Sequence, residues 1–359
     1  MKICLLANSA SIHTIRWAKF FANRGHDVYV ISFESYEIPG IKTILINSNA
    51  YLKNISLLYK SASVKNIVKA IRPDILHAHY ATSYGIIGAL LNYHPYIITA
   101  WGSDILVAPE KSIIYRFILG YALKHAQIVT TTGYMITDRI KNRRYIKNKK
   151  IRTWPFGVDT KIFYNNRNKL EQNNDIKTII STRRLDDGLD VHLLIEAATI
   201  VIGRYPNCRI IIVGDGTLKN RLQELATKKS LSKKIQFVGS VSPEKMATYL
   251  NMSDIFISTS PTDGNNISLL EAMACGVYPV VTNIDANKAW VTHGFNGLIF
   301  DTSCNNSLAE MICIALALGD KEISITNEIN SEIIRKRGSF EKYGELMEDL
   351  YNKVKLWYE

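Results

Sequence analysis

The residues best suited to chemistry in this sequence lie in one stretch, residues 260–282. Two acidic residues stand eight positions apart there, Asp263 and Glu271. Small, polar and helix-starting residues follow the first acid: Gly264, Asn265, Asn266 and Ile267. Such residues let the backbone turn sharply into a helix, so that amides at its N-terminus face an anion such as a diphosphate. Glu271, near the first turn of that predicted helix, is suited to accept two hydrogen bonds from a ribose diol; stabilisation of the helix through its dipole is the alternative role.

Alternating strands and helices are predicted to position this stretch. An apolar run at 2–7, a helical pattern at 12–24 and an apolar run at 25–32 make a β-α-β start. Further strands of the first half are predicted at 74–77, 96–99 and 127–131. Strands of the second half are predicted at 178–182, 209–213, 235–238, 255–258, 278–282 and 298–300. We therefore expect an α/β protein with two doubly wound, Rossmann-like domains, each built on a parallel sheet covered on both faces.

The domain boundaries follow from the restart of this pattern. We predict a first domain at 1–158, a second at 159–338 and a closing helix at 339–359 that packs back on the first domain. The polar stretch 165–174 is the predicted linker. Ligands of open parallel sheets bind beyond the carboxyl ends of the strands, so both halves are expected to contribute loops to a central cleft.

The stretch at 260–282 resembles the corresponding segment of glycosyltransferase family 4, also described as glycosyl transferases group 1. In that family two Glu separated by seven residues precede Ala-Met-Ala and Gly-x-Pro-Val-Val, and this chain has Ala-Met-Ala at 272–274 and Gly-Val-Tyr-Pro-Val-Val at 276–281. The resemblance implies that Asp263 contacts the donor sugar and that Glu271 binds the nucleotide ribose. Asp in place of the first Glu, and one extra residue before Pro279, are departures from the family pattern.

Other donor-side segments resemble the family in the same order along the chain. Gly-Val-Asp-Thr-Lys-Ile-Phe at 157–163 resembles the entry into the second domain. Val-Gly-Asp-Gly at 213–216 implies that Gly214 and Gly216 turn near the nucleotide, and a tight turn alone is the alternative. The segment at 234–239, together with Val241, resembles the one whose backbone meets the base.

Ser-Thr-Arg-Arg-Leu at 181–185 resembles the family segment whose Arg, with a Lys five or six residues later, neutralises the departing diphosphate. Either Arg183 or Arg184 matches the Arg, and Leu189 occupies the position of the Lys. One positive charge fewer implies slower cleavage unless another cation compensates. Three acidic residues follow in the same loop: Asp186, Asp187 and Asp190. Carboxylates suit Mg²⁺, but the resemblance implies no metal and no other cofactor, and a solvated acidic loop is the preferred interpretation.

The first domain carries the candidate acceptor residues. Asn-Ser-Ala-Ser-Ile-His at 8–13 fills the loop where family members often carry glycines near the phosphates and the acceptor, which makes Ser11 and His13 candidates. A helix N-terminal histidine facing solvent is the equal alternative for His13. Ala-Trp-Gly-Ser-Asp at 100–104 resembles the family's His-Gly-Ser-Asp and assigns Trp101 and Asp104 to the cleft. An aromatic platform for the acceptor and a packed core residue are both open for Trp101, which has no group to shuttle a proton.

Two histidines invite a metal interpretation. His77 and His79 lie on one face of a predicted strand, and two imidazoles are suited to zinc. A third ligand at diagnostic spacing is missing from the sequence. We therefore predict no metal site and assign His79 to the cleft.

The resemblance extends over nearly the whole chain and implies a GT-B fold with retention of configuration. It implies transfer from a nucleotide-sugar, UDP-sugar favoured over GDP-sugar, to a saccharide or lipid-linked saccharide acceptor in polysaccharide or lipopolysaccharide biosynthesis. An NAD-dependent oxidoreductase is disfavoured because no Gly-x-Gly-x-x-Gly follows the first strand. A catalytically weak nucleotide-binding scaffold and a nucleotide-sugar epimerase on the same fold are the alternatives.

Charge and composition bear on which surface the protein contacts and in which compartment it acts. The net charge of +12 is concentrated in the segment 139–152, for which a solvated surface, an anionic membrane and nucleic acid compete. Nucleic acid is disfavoured because Tyr145 is nearly the only aromatic residue there. The sequence has no apolar run of 18 residues, no signal-peptide pattern and five scattered cysteines, which fits reduced thiols in a cytoplasmic protein. We expect an enzyme that touches the inner face of the membrane.

Overall fold

The computed structural model describes residues 1–46, 56–146, 150–166, 176–304 and 306–358. They form two compact units, Met1–Pro155 with Tyr343–Glu359, and Phe156–Lys342. These boundaries lie a few residues from those that the sequence suggested, at 158 and 338. Most of the predicted linker, residues 167–174, lies outside the described residues, as do residues 147–149 of the basic segment.

The first unit is built on a parallel sheet. Its strands are β1 (Lys2–Leu6), β2 (Asp27–Ser32), β3 (Lys42–Leu45), β4 (Ile75–His79), β5 (Tyr96–Ala100), β6 (Ile128–Thr131) and β7 (Ile151–Thr153). Its helices are α1 (Ile12–Asn23), α2 (Ser56–Ile71), α3 (Tyr84–Leu91), α4 (Ser103–Leu106), α5 (Ala108–Lys111), α6 (Ile113–His125) and α7 (Tyr134–Asn142). The strand order is β3-β2-β1-β4-β5-β6-β7, and every pairing in it is parallel.

The second unit repeats this plan. Its strands are β8 (Lys177–Ser181), β9 (Cys208–Val213), β10 (Ile235–Gly239), β11 (Ile255–Ser258), β12 (Tyr278–Thr282) and β13 (Leu298–Phe300). Its helices are α8 (His192–Arg204), α9 (Lys219–Lys228), α10 (Pro243–Asn251), α11 (Ile267–Ala274), α12 (Asp285–Lys288), α13 (Ser307–Ala317) and α14 (Asp320–Arg337). The parallel sheet has the order β10-β9-β8-β11-β12-β13.

The central strands form where the chain is apolar on consecutive residues, because helices cover both faces of a parallel sheet. All five residues of β4 and of β5 are buried, and so are all five of β12. The two-domain α/β prediction is confirmed. The short strands β3 and β7 were missed because they lie at the sheet edges, where fewer apolar residues are needed: β3 has no fully buried residue, and β7 has one.

The last helix, α15 (Phe340–Lys355), packs on the first unit through side chains from one face. Tyr351 is fully buried and lies 5.1 Å from Phe21 of α1 between ring centroids. Glu348 accepts hydrogen bonds at 2.6 Å from Arg24 and shares one at 2.6 Å with His26. Gly344 gives room for Phe20, since a Cβ there would lie 2.3 Å from the ring. The helix therefore completes the core around α1.

No helix in the described ranges is both long and apolar enough to cross a bilayer. The five cysteines, all within the described residues, form no disulfide; four of them are buried, whereas Cys304 is exposed in the loop after β13. Burial raises the pKa of the Cys4 thiol to about 12.

Candidate active site

The predicted donor residues gather at one edge of the second sheet. Because its strands are parallel, the loops after β8, β9, β10 and β11 all leave from the carboxyl edge. Backbone hydrogen bonds tie these loops together: Leu185 donates to Asp215 at 3.0 Å, Leu218 to Leu185 at 2.8 Å, and Gly214 to Gly239 at 2.9 Å. Segments far apart in sequence therefore form one surface.

Arg183 and Asp263 form an ion pair at the centre of this surface. Nη2 of Arg183 donates to Oδ2 of Asp263 at 2.9 Å, and the two side chains are only 14% and 15% exposed. Nη1 of Arg183 also donates to Asn266 at 3.2 Å. The buried Nε has no partner among the described residues. Two of the five guanidinium N–H groups thus hold the side chain in place, and the other three are left for further acceptors.

Asn266 fixes the start of α11. Its Oδ1 accepts from the backbone amide of Leu269 at 3.2 Å, which caps the helix. Its Nδ2 donates to Ser258 at 3.1 Å and to Asn287 at 2.9 Å. Asn266 and Asn287 are both fully buried. This amide network links β11, α11 and α12 and sets where the helix N-terminus points.

Two glycines allow the loops to approach closely. Gly214 has φ +152°, and a Cβ on it would lie 2.1 Å from the carbonyl oxygen of Arg183. A Cβ on Gly216 would lie 2.4 Å from the carbonyl oxygen of Leu185. Both positions therefore require glycine for packing, and the positive φ of Gly214 favours glycine there as well. A tight turn and a position on the donor-side loops, the two roles predicted for these glycines, are compatible with each other.

The structure separates the two candidate arginines. Arg184 is 80% exposed and pairs with Asp186 at 2.5 Å, away from Asp263. Asp186 also accepts from the amide and the hydroxyl of Thr217, at 2.9 and 3.2 Å. These hydrogen bonds, with Arg184, hold the pKa of the Asp186 carboxyl below its usual range. Arg183 is therefore the arginine that this geometry places in the site.

Two other acidic residues, Asp187 and Asp190, follow Asp186 in that loop. In the ranges that the structure describes, no three His, Cys, Asp or Glu side chains are grouped so that they could hold a metal ion. Asp187 is exposed and Asp190 half-exposed. The Asp186 carboxylate serves to join the loops after β8 and β9.

A lysine outside the sequence predictions lies at the start of α9, beside the loops after β9 and β10. Leu189, which replaces the family lysine, accepts from Thr259 through its backbone oxygen at 2.9 Å. Lys219, the first residue of α9, pairs with Asp215 at 2.9 Å, and its ammonium lies 3.5 Å from the Cβ position of Gly239. Lys219 thus stands over the loops after β9 and β10. The sequence feature that could have identified Lys219 is its position five residues after Gly214, at the start of a helix.

The other predicted donor residues lie on the same loops. Gly264 and Asn265 are half-buried between Asp263 and the helix, and Asn265 donates to Asp263 at 3.1 Å and to the carbonyl of Phe156 at 3.1 Å. Ile267 is the first residue of α11. Val241 is half-buried, two residues beyond β10. Glu271 is half-buried and is the fifth residue of α11, so it lies directly after the first turn.

In the first unit, an aromatic cluster stands at the carboxyl edge of the sheet. The ring of Trp101 lies 5.5 Å from His13, nearly perpendicular to it, and 5.5 Å from His79. His79 is 4.7 Å from His77, as expected for two residues on one face of a strand. Nδ1 of His79 is buried and has no partner among the described residues. His13 is half-buried, with its ring against Trp101.

His77 belongs to a buried hydrogen-bond chain. Its Nδ1 shares a hydrogen bond of 2.5 Å with the Tyr351 hydroxyl, and its Nε2 one of 2.6 Å with Thr99. Thr99 in turn bonds to Thr130 at 2.6 Å. Because both ring nitrogens are engaged, His77 serves to fix α15 against β4 and β5.

Asp104 and Ser11 shape the neighbouring loops. The fully buried Asp104 carboxylate accepts from the amides of Ala81 at 2.7 Å, Gly102 at 2.8 Å and Trp101 at 3.1 Å. Asp104 therefore positions the loop, and its oxygens are not exposed to an acceptor. Ser11 is the N-cap residue of α1, half-buried, with no capping bond from its side chain.

Burial sets the protonation of these groups. Burial, with Arg16 nearby, lowers the pKa of His13 to about 4, and burial, with His13, lowers that of His79 to about 3. Burial raises the pKa of Asp104 despite its amide partners. Both imidazoles are therefore neutral near pH 7.

Comparisons with known proteins show which families and structures the chain is similar to. A family model described as "Glycosyl transferase 4-like" matches residues 2–133, and one described as "Glycosyl transferases group 1" matches residues 163–329. The chain is 26% identical over 323 residues to an uncharacterised glycosyltransferase of Methanocaldococcus jannaschii, which covers 88% of this chain and 87% of the relative. It is 25% identical over 364 residues to the alpha-monoglucosyldiacylglycerol synthase of Acholeplasma laidlawii, with 91% and 89% covered. Its fold matches that of HepE from Anabaena, solved with UDP-glucose, with a TM-score of 0.82 at 18% identity over 99% of this chain and 100% of that chain.

Proposed function

Since this chain belongs to glycosyltransferase family 4 and has the GT-B fold, we propose that it is a retaining enzyme that uses a nucleoside-diphosphate sugar, a UDP-sugar in preference to a GDP-sugar. The acceptor is a saccharide or lipid-linked saccharide in the synthesis of a cell-surface polysaccharide. The name of the Acholeplasma relative describes a glucosylated lipid, and the HepE structure contains UDP-glucose, which supports both halves of the proposal.

The observation that carries the proposal is the Arg183–Asp263 pair beside the capped N-terminus of α11. A guanidinium with a free N–H, next to helix amides, is a preorganised site for the charge that develops on a departing diphosphate. We expect Lys219, which pairs with Asp215 beside the loop after β9, to supply the second cation that is missing at Leu189. Neutralisation by these two side chains requires no metal ion, so activity is expected to survive chelation by EDTA.

Retention follows from transfer on one face of the donor. The bond between the anomeric carbon and the phosphate oxygen breaks, the acceptor oxygen bonds to the same face, and its proton passes to the departing phosphate. Asp263 is a weak candidate for a nucleophile because its two oxygens accept from Arg183 and Asn265. The proposal therefore includes no covalent sugar–enzyme intermediate.

The cluster of Trp101, His13 and His79 supplies the acceptor side. An indole face and neutral imidazoles suit an uncharged sugar, whose C–H faces stack on aromatic rings and whose hydroxyls pair with ring nitrogens. The free Nδ1 of His79 is one such hydrogen-bonding atom.

Thermal unfolding with a panel of nucleotides tests the donor assignment. UDP or a UDP-sugar is expected to raise the midpoint, because a ligand of the folded state stabilises it by mass action, and GDP and ADP are expected to raise it less.

Glu271→Ala should weaken donor binding by about tenfold or more, because hydrogen bonds to a charged group are lost. Glu224→Ala, on the exposed side of α9, is the control and should bind as the parent does. A panel without any shift would contradict the proposal.

A further inference from the structure

An unusually apolar face of α6 points to solvent. Ile113, Ile114, Phe117 and Tyr121 are 63%, 65%, 74% and 41% exposed, and Phe117 is the most exposed large hydrophobic side chain in the described ranges. At 100° per residue these four positions fall within an arc of about 100° on the helix. The opposite side, Leu119, Ala122 and Leu123, is buried against the unit. The helix thus has two apolar faces, and only one of them is covered by described residues.

Positive charge surrounds this apolar face. Glu110 of α5 receives three guanidinium groups: Arg116 of α6 at 3.5 Å, Arg139 of α7 at 2.9 Å, and Arg143. One carboxylate balances only one of these charges. Lys124, exposed, stands at the far end of the apolar arc, where Lys150 donates to its carbonyl at 3.4 Å. Apolar side chains are therefore bordered by cations at both ends of the helix.

The same face adjoins the candidate acceptor loop. The chain runs from Trp101 through α4 and α5 directly into α6. The Tyr80 hydroxyl bonds to Ser103 at 2.8 Å. Burial raises the pKa of Tyr80, with smaller contributions from Asp104 and Tyr115. The helix α6 thus follows the loop that carries Trp101 directly along the chain.

We propose that the exposed face of α6 inserts into an anionic phospholipid bilayer while the arginines around Glu110 contact its phosphate groups. Large apolar and aromatic side chains on one arc with a basic border are the composition of an interfacial helix. The overall charge of +12 complements such a surface. This inference rests on the proposed lipid-linked acceptor, and it moves the main membrane contact from the segment 139–152 to α6, with Arg139 and Arg143 in support.

Co-sedimentation of the full chain with vesicles tests the proposal. Vesicles of phosphatidylcholine mixed with phosphatidylglycerol should bind the chain, more strongly at low than at high salt, and phosphatidylcholine alone should bind it weakly. Phe117→Gln combined with Ile114→Gln should reduce binding to the mixed vesicles by about tenfold or more, the loss of inserted apolar area. Ile325→Gln, a half-exposed apolar position on α14, is the matched control and should bind normally.

A second variant tests the electrostatic half with the opposite sign. Glu110→Gln leaves the three arginines without their carboxylate and should strengthen binding to the mixed vesicles by about fivefold, with no change on neutral vesicles. Equal binding of the α6 double variant and the parent would overturn the proposal. The proposal would also be overturned if the parent chain does not bind the mixed vesicles and instead forms a dimer that the double variant does not form. Thermal shifts with UDP, measured on the same samples, separate this failure from a failure of the donor assignment.

Discussion

The two candidate regions occupy the same edge of two similar sheets, yet their chemistry differs. In the second unit the loops carry charge: Arg183, Asp263 and Lys219 lie among glycines and a capped helix N-terminus. In the first unit the corresponding edge carries neutral rings, of which His13 and His79 have a pKa of about 4 and about 3. Parallel strands determine where the ligands bind, and the loop residues determine what is bound.

The energetic basis of the two regions differs accordingly. The charged region is held by hydrogen bonds to ionised groups, which are strong and depend on distance and angle. The aromatic region is held by burial and ring contacts, and it avoids charge because desolvation penalises an imidazolium. Substitutions should therefore reduce catalysis most in the second unit, whereas pH should act mainly through the first.

The largest effect is expected from Arg183→Met. Removing the guanidinium takes away a preorganised donor to the leaving group, and sugar transfer should fall by roughly 10²- to 10³-fold. Arg184→Met, at the exposed neighbour, should change the rate by less than about twofold, since surface ion pairs contribute little. Steady-state kinetics of both variants checks this. Equal losses of the sugar-transfer rate in the two variants would contradict the assignment of Arg183, and not Arg184, to the leaving group.

A smaller effect is expected on stability from Gly214→Ala. Its φ of +152° and the 2.1 Å approach of a Cβ to the Arg183 carbonyl should cost about 2 to 3 kcal/mol of unfolding free energy. Gly203→Ala, within α8 with nothing within 4 Å, should stabilise the chain by about 0.5 kcal/mol. Urea denaturation of both variants gives the comparison, and a harmless Gly214 substitution would contradict the close approach of the loops.

The smallest effect is the pH dependence of the first unit. His13 and His79 have lower pKa values in the folded chain than in the unfolded chain, where the value is near 6.5, so the unfolded state binds more protons below that pH. Their contribution to stability is full above about pH 6.5 and falls towards pH 4, by about 1 kcal/mol per imidazole between pH 6 and 5. The unfolding free energy, measured by urea denaturation at several pH values, should change less between pH 6.5 and 4 in His79→Asn than in the parent. His192→Asn, at an exposed position, should leave this pH dependence unchanged. The same pH dependence of the unfolding free energy in both variants would show that His79 is not buried as described.

Local sequence was sufficient for the central strands and for several features of the site. Near-continuous apolar runs identified β4, β5, β11 and β12, because burial on both faces demands them. The stretch from Asp263 to Glu271 was located on a loop and helix from residue types alone. Edge strands such as β7 were missed because three residues with one buried side chain carry little pattern.

What the sequence by itself determined was the order of elements and the set of residues that end at the strands' carboxyl edges, since backbone preference and hydrophobic pattern act over a few neighbouring residues. Only the tertiary structure decided that Arg183 and not Arg184 meets Asp263, that Asp104 holds a loop, that Lys219 joins the charged edge, and that His77 bonds to Tyr351. The contacts of Asp104, Arg183 and His77 join residues 23, 80 and 274 positions apart, and no local pattern specifies which of two adjacent side chains will be buried.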